Sequence, residues 1–403
     1  MPPVSRFSDF PISRFSLPPI SRFSLLLCAS AALLAAQPPP RTPAAPEPVL
    51  SGAAVSFELT DPAHSGFIEG KLDPAVILPP AWAFGVLYGF YTDQAGIQKN
   101  LRRLIDGDFP VDALWVDSAF WDLSTRGPKG YHDFKSDLKA FPRLSELTAE
   151  LRREHVRFGI WTWERILDAN TEAFAEFSSK GFFTGDPIVA NGWHNSGLAS
   201  TARVVDFANP AAAELWASKM KPFLAQGVDF FKIDAGPTTE YLRLHFELSQ
   251  KFGLHTRGRG FILSHRGRKT AEDIKRYPGA WTGDADASWN QTDYPDTVRW
   301  RMGGLAQQIE MAANPTWKTY AYPFLSSDTG GYHTPKLPRP EMEELFTRWT
   351  QFSAFSSLMH VFGNLKVPDQ NAPFAWSAPT QENFRRYSHL RLRLFPYLYT
   401  HAL

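Results

Sequence analysis

From residue 80 onward, short runs of apolar and β-branched residues alternate with longer stretches of helical composition. Residues 82–88 (WAFGVLY) predict a first strand, and residues 96–107 predict a helix with Leu101, Leu104 and Ile105 on one face. Strands are expected at residues 111–117, 156–161 and 228–234, with helices over residues 144–153 and 211–226 between them. Shorter β-runs follow at residues 261–264, 280–281 and 320–325. This is the rhythm of repeated βα units, not of a sandwich. Asp117, Asp234, Asp284 and Asp328 each stand at or just beyond the C-terminal end of a β-run. In a (β/α) barrel those ends share one face, so distant carboxylates converge on one cleft. A doubly wound sheet also gathers ligands beyond strand ends. No Gly-x-Gly-x-x-Gly run follows an early strand, however, and no phosphate-binding loop is present. The fold class expected is therefore α/β, a TIM-type (β/α)8 barrel over residues 81–403.

The first eighty residues follow another pattern. Ser5-Arg6-Phe7-Ser8 recurs at residues 13–16 and 21–24, and the last copy runs into an apolar, small-residue stretch at residues 25–36. A basic lead before a short apolar run makes residues 1–36 a signal-peptide pattern or a low-complexity leader, too short to span a bilayer. The first reading implies a secreted or periplasmic protein. Residues 37–50 form a proline-rich linker. Residues 51–80 form a short extension in which Val55-Ser56-Phe57-Glu58-Leu59 reads as one strand of a β remnant.

Composition narrows the chemistry mainly by exclusion. With 42 basic against 41 acidic side chains, a broad nucleic-acid footprint is unsupported. A single cysteine, Cys28, excludes an intrachain disulfide framework and a cysteine metal site. The eleven histidines include no His-x-x-x-His pair, which argues against metal hydrolysis, and no cofactor is expected. Thirteen Trp and thirty-two Phe suit flat sugar faces, and equally suit a large core.

Two segments carry chemistry. In Phe230-Phe231-Lys232-Ile233-Asp234-Ala235-Gly236, period-two alternation sends Lys232 and Asp234 to the same side of a strand. An ammonium there favours an ionised carboxylate, as a nucleophile requires; the plainer alternative is an Asp that caps the next turn. In Trp281-Thr282-Gly283-Asp284-Ala285-Asp286-Ala287-Ser288-Trp289 the tryptophans can stack on sugars and desolvate Asp284, favouring the protonated form of a general acid. Asp286 competes for that role or for a loop role, although a calcium loop needs more oxygen ligands than this segment supplies. Cleavage of an acetal needs such a pair, one residue to attack and one to donate a proton; retaining enzymes hold them roughly 5 to 5.5 Å apart.

From Trp82 to the end, these blocks in this order resemble glycoside hydrolase family 31, which includes α-glucosidases and α-xylosidases. Phe231-Lys232-Ile233-Asp234 resembles the family's nucleophile strand and Trp281-Thr282-Gly283-Asp284 its acid/base segment, which selects Asp284 over Asp286. Val205-Asp206-Phe207-Ala208-Asn209-Pro210 resembles the segment ahead of the helix before the nucleophile strand. Ser327-Asp328-Thr329-Gly330-Gly331-Tyr332 resembles an Asp-x-Gly-Gly-aromatic block. The resemblance implies sugar contacts by Asp117, Asp328 and His360, and by Arg266, with Arg268 close by; Trp161 and Trp281, as aromatic walls of the cleft, and Lys232 are further substrate-binding candidates. Plainer readings stand beside these: a helix cap for Asp117, a turn for Asp328, a buried structural ring for His360, and core packing for Trp161 and Trp163.

Family members place a β-sandwich before the barrel and β-domains after it. The expectation here is a barrel truncated at its C-terminus and lacking its closing strand. Asp234 and Asp284 lie only 50 residues apart, implying a trimmed loop. The function expected is retaining, exo-acting hydrolysis of α-glucosides or α-xylosides, with an α-linked oligosaccharide or glycoside as partner. The alternatives are a catalytically impaired carbohydrate-binding homologue and an α-glucan lyase or transglycosidase.

Overall fold

The alternation resolves into eight strands of one parallel sheet. The protein is seen here as a computed structural model, and the described residues are 77–402, apart from 122–132, 164, 169–170, 191–199, 235–237, 253–258, 266–272, 274–275, 278, 293–300, 314–322, 334–335 and 368. The leader, the linker and the candidate strand at residues 55–59 lie outside them. The strands are β1 (Leu87–Phe90), β2 (Ala113–Val116), β3 (Arg157–Trp163), β4 (Phe230–Asp234), β5 (Ile262–His265), β6 (Ala280–Trp281), β7 (Leu325–Ser326) and β8 (His360–Phe362). Spatial order follows chain order from β1 to β7, and β8 returns to pair in parallel with β1. β1, β2 and β5 are buried along their whole length, as parallel strands covered on both faces must be.

Helices separate the strands: α1 (Gln94–Asp106), α2 (Leu144–Arg153), α3 (Pro210–Ala225), α4 (Thr239–Phe252), α5 (Leu305–Ala313), α6 (Arg339–Ser353) and α7 (Ala378–Ala402). Among the described residues no helix is long and apolar enough to cross a membrane. α1 begins where the Asp93 carboxylate accepts the Gly96 N–H at 2.7 Å. It buries Ile97, Leu101 and Leu104. Ile105, expected on that face, sits at the border of the stripe and is 37% exposed. The Asp-Phe-x-Asn-Pro block has a local cause: the Asn209 side chain accepts the Ala211 N–H at 3.0 Å, and Pro210 occupies the first position of α3, where no N–H is needed.

Two expectations are corrected. Residues 82–88 are not one strand: Ala81–Phe84 form a 3-10 turn after Pro80, and the Val86 N–H is taken by the Asp112 carboxylate at 2.8 Å, so pairing starts at Leu87. Between β3 and α3 the chain also leaves the barrel. Arg165–Asp168, Phe183–Ala190 and Ser200–Val205 make a three-stranded antiparallel sheet with a helix at Glu172–Ser179, an excursion the pattern did not single out.

The expected barrel is formed, with its incompleteness at the closure. Seven strands correspond to predicted β-runs; the eighth, His360–Phe362, is too short for a period-two pattern to reveal. Among the described residues no continuous ladder joins β7 to β8. A single parallel bridge, Asp328 to His360, crosses the seam, with the Thr329 N–H donating to the His360 carbonyl and the Leu358 N–H to the Leu325 carbonyl, both at 3.3 Å.

Candidate active site

Each candidate carboxylate is delivered by a strand end on the C-terminal face. Asp117 follows β2 and uses its two oxygens differently: Oδ1 accepts the Ser118 N–H at 2.8 Å, capping a short turn, while Oδ2 lies 3.4 Å from Lys232 Nζ. The capping reading is therefore realised through one oxygen, while the other faces Lys232. Burial raises the Asp117 pKa, against the opposing pull of Lys232.

β4 carries Lys232 and Asp234, in register with Trp161 and Trp163 of β3. Asp234 Oδ2 accepts the Trp161 indole N–H at 3.0 Å and lies 3.5 Å from Lys232 Nζ. That ammonium is 3% exposed and rests 4.3 Å from the Trp281 ring centre and 5.3 Å from that of Phe362. Burial alone would lower its pKa. Asp117, Asp234, Asp284 and Asp328 outweigh burial and raise its pKa above the usual lysine value, so it stays charged.

Asp284 enters just after β6, behind Gly283, whose φ of 111° suits a residue without a side chain. It remains partly exposed, and among the described residues no hydrogen bond holds its carboxyl. Burial, then the charge of Asp234, pushes its pKa well above the ordinary carboxylate value, against the pull of Lys232. Asp286 is occupied elsewhere, accepting from Arg301 Nε at 3.0 Å.

Asp328 and His360 meet across the seam at 2.7 Å, and the other His360 nitrogen lies 2.8 Å from Ser326 Oγ. The glycines after Asp328 are required by close approach: at Gly331, with φ of 85°, a Cβ would stand 2.5 Å from the Ala287 backbone. This packing lets the Ala285 carbonyl accept the Tyr332 and His333 N–H groups, at 2.8 and 3.0 Å, tying the β7 loop to the residue beside Asp284.

The sites expected from sequence thus separate. Asp117, Lys232, Asp234, Asp284, Asp328 and His360 form one electrostatically coupled cluster around Lys232 and the seam. Trp161 and Trp281 are 3% and 1% exposed; the first holds Asp234 through its indole N–H and the second underlies Lys232. Trp289 is half-buried and its indole N–H donates to Glu341 at 3.2 Å. Arg266 and Arg268 lie outside the described residues. Sequence reasoning did not select Tyr91, just beyond β1, whose hydroxyl lies 2.9 Å from that of Tyr332. The strand-end rule that picked out the aspartates would have found it. Among the described residues no group of three His, Cys, Asp or Glu side chains is arranged to hold a metal.

Comparison with known proteins agrees with this architecture. The family model for the glycosyl hydrolases family 31 TIM-barrel domain matches residues 76–401. The lysosomal alpha-glucosidase of Mus musculus is 24% identical over 387 residues, covering 80% of this chain and 37% of that protein. An alpha-xylosidase of Saccharolobus solfataricus is 24% identical over 347 residues, covering 82% and 44%. The chain thus spans less than half the length of these curated relatives. Among solved structures, a Flavobacterium johnsoniae GH31 dextranase complexed with glucose superposes with a TM-score of 0.64 at 22% identity, over 81% of this chain and 41% of that one. A GH31 alpha-xylosidase from a soil metagenome complexed with xylose gives 0.60 at 18% identity, over 80% and 50%.

Proposed function

We propose that this chain, which belongs to glycosyl hydrolase family 31, is the catalytic barrel of a retaining, exo-acting α-glycosidase with Asp234 as nucleophile and Asp284 as general acid/base. The observation that carries the reading is the asymmetry of two neighbouring carboxyls. Asp234 receives an indole N–H and faces an ammonium, which suits a charged nucleophile. Asp284 is pushed toward its protonated form by burial and by Asp234 itself, which suits an acid.

The reaction follows from these states. Asp234 Oδ attacks the anomeric carbon as the bond to the leaving oxygen breaks, and Asp284 gives that oxygen its proton. A covalent β-glycosyl-enzyme results. Asp284, now ionised, takes a proton from water, whose oxygen displaces Asp234 from the opposite face and restores the α configuration. Water is the only co-reactant.

Asp117, Asp328 and His360 are proposed to bind sugar hydroxyls, and Arg266 is assigned the same role by family resemblance. Trp161 and Lys232 act on Asp234 directly, and Trp281 acts through Lys232. The names of relatives, alpha-glucosidase and alpha-xylosidase, support an α-glucoside or α-xyloside as substrate. Export to the periplasm or medium is proposed from the pattern of residues 1–36, and cell fractionation of the tagged chain tests it.

Incubation of the full chain with 4-nitrophenyl α-glucoside and α-xyloside, followed by NMR of the first-formed sugar, tests the activity. The α anomer is expected, together with a peptide containing Asp234 labelled by a fluorinated glycosyl fluoride. First-formed β anomer, or label on another residue, contradicts the assignment.

A further inference from the structure

The aspartates are not the only polar groups that the strand ends bring together. Tyr91, one residue beyond β1, and Tyr332, in the loop after β7, bond through their hydroxyls at 2.9 Å although they are 241 residues apart in the chain. Both rings stack on Phe362 at the end of β8, at 5.3 and 5.4 Å between centres and 30° and 23° between planes. The pair therefore straddles the strand that closes the barrel. The backbone of Tyr332 is also fixed to the acid/base segment through the Ala285 carbonyl. Both side chains are partly exposed.

Proton accounting leaves something over. Two phenols carry two O–H protons, and the bond between them uses one. Among the described residues the second proton has no protein acceptor, for neither hydroxyl makes another hydrogen bond. A half-buried donor of this kind normally finds a partner, either water or a ligand. Burial, reinforced by Asp117 at Tyr91 and by Asp284 at Tyr332, raises both phenols above their ordinary value, so both protons remain in place across the working pH range. The remaining donor lies within electrostatic reach of Asp284, Asp117 and Asp234.

We infer that the Tyr91–Tyr332 hydroxyl pair is a substrate-binding element, whose free O–H donates a hydrogen bond to one hydroxyl oxygen of the sugar held between Asp234 and Asp284. This rests on the glycosidase reading above. It assigns substrate selection to two residues on the closing side of the barrel, where the rigid stack on Phe362 fixes the position of the donor.

Kinetics of the full chain with a series of monodeoxy 4-nitrophenyl α-glycosides tests the contact. Y332F and Y91F keep the rings and their stacking, so folding is preserved. For the intact glycone, Y332F is expected to lower kcat/KM by about 3- to 15-fold, the worth of one neutral hydrogen bond, mainly through KM. Against the single deoxy substrate that lacks the contacted hydroxyl, the same variant should lose less than about twofold, since the partner is already gone. Additive losses at every position overturn the inference. So does an unchanged KM with only a shifted alkaline limb, which would mark a purely supporting role beside Asp284.

A fluorescence titration with glucose and xylose separates this inference from the reading it rests on. Sugar binding that Y332F weakens, without any turnover by the wild-type chain, refutes the glycosidase and keeps the contact. Turnover with additive losses does the reverse, and no saturable sugar binding refutes both.

Discussion

His360 Nε2 stands 2.7 Å from Asp328 Oδ1 across the seam between β7 and β8. Both residues are almost fully buried, at 2% and 1% exposed. This side-chain contact adds to the parallel bridge and the two backbone hydrogen bonds that cross the seam. His360→Ala leaves a buried carboxyl without its partner and is expected to cost about 2–4 kcal/mol. Urea unfolding of the variant measures this. A loss within about 0.5 kcal/mol of zero would mean that the seam is held by other contacts.

The two central carboxyls should fail differently. With Asp234 as the proposed nucleophile, D234N is expected to abolish turnover of every glycoside, by about 10⁴-fold or more. D284A should retain cleavage of 4-nitrophenyl glycosides, whose leaving group needs no proton, and lose natural oligosaccharides. Azide should rescue D284A and yield an α-glycosyl azide. A β azide would place the nucleophile elsewhere.

Lys232 lowers the Asp284 pKa, against burial and three other carboxylates that raise it. An acid works below its pKa and is lost as pH rises through it. K232M removes the opposing charge, so the alkaline limb of kcat/KM should move to higher pH while the rate falls by about 10- to 1000-fold. A limb that stays in place, or moves down, would detach Lys232 from the acid.

Asp286 is paired with Arg301 at 3.0 Å, in a contact whose arginine is 39% exposed. D286N should therefore keep activity within about tenfold of wild type and cost about 0–1 kcal/mol, as half-exposed pairs do. Loss of activity equal to that of D284A would reverse the choice between these neighbours.

Away from the site, Asp229 is 3% exposed and accepts the Phe158 N–H at 3.0 Å. Burial raises its pKa from 3.8 to about 6, against that hydrogen bond, Arg157 and Arg152. The raised folded value means that its stability contribution is fully present below about pH 4 and lost as pH rises through about 6, some 2–3 kcal/mol in all. D229N can still accept the Phe158 N–H. It should stabilise the chain by about 1–3 kcal/mol at pH 7 and by nothing near pH 4. Thermal melts at both values decide the matter, and equal effects at the two pH values would reject the titration account.

Much of the site was legible because strand ends are local features. Asp117, Lys232, Asp234, Asp284 and Asp328 could be picked out from short apolar runs, since a period of two puts Lys232 and Asp234 on one face and residues at or just beyond a strand's C-terminal end gather on one rim. The helices from Leu144 to Arg153 and after Asn209 were equally readable from stripe and cap. Where pattern failed, the cause was brevity or competition. β8 has three residues, and the first strand was overextended because a carboxylate of Asp112, 26 residues away, takes the Val86 N–H.

Sequence by itself thus determined the βα rhythm and the list of acids at its strand ends, because both depend on neighbours a few residues apart. Tertiary structure alone decided what each acid meets. Trp161 reaches Asp234 from 73 residues away, Lys232 lies between Asp117 and Asp234, and Tyr91 finds Tyr332 only where β8 returns beside β1. These contacts arise when the sheet curls and distant strand ends come together, and no spacing along the chain records that approach.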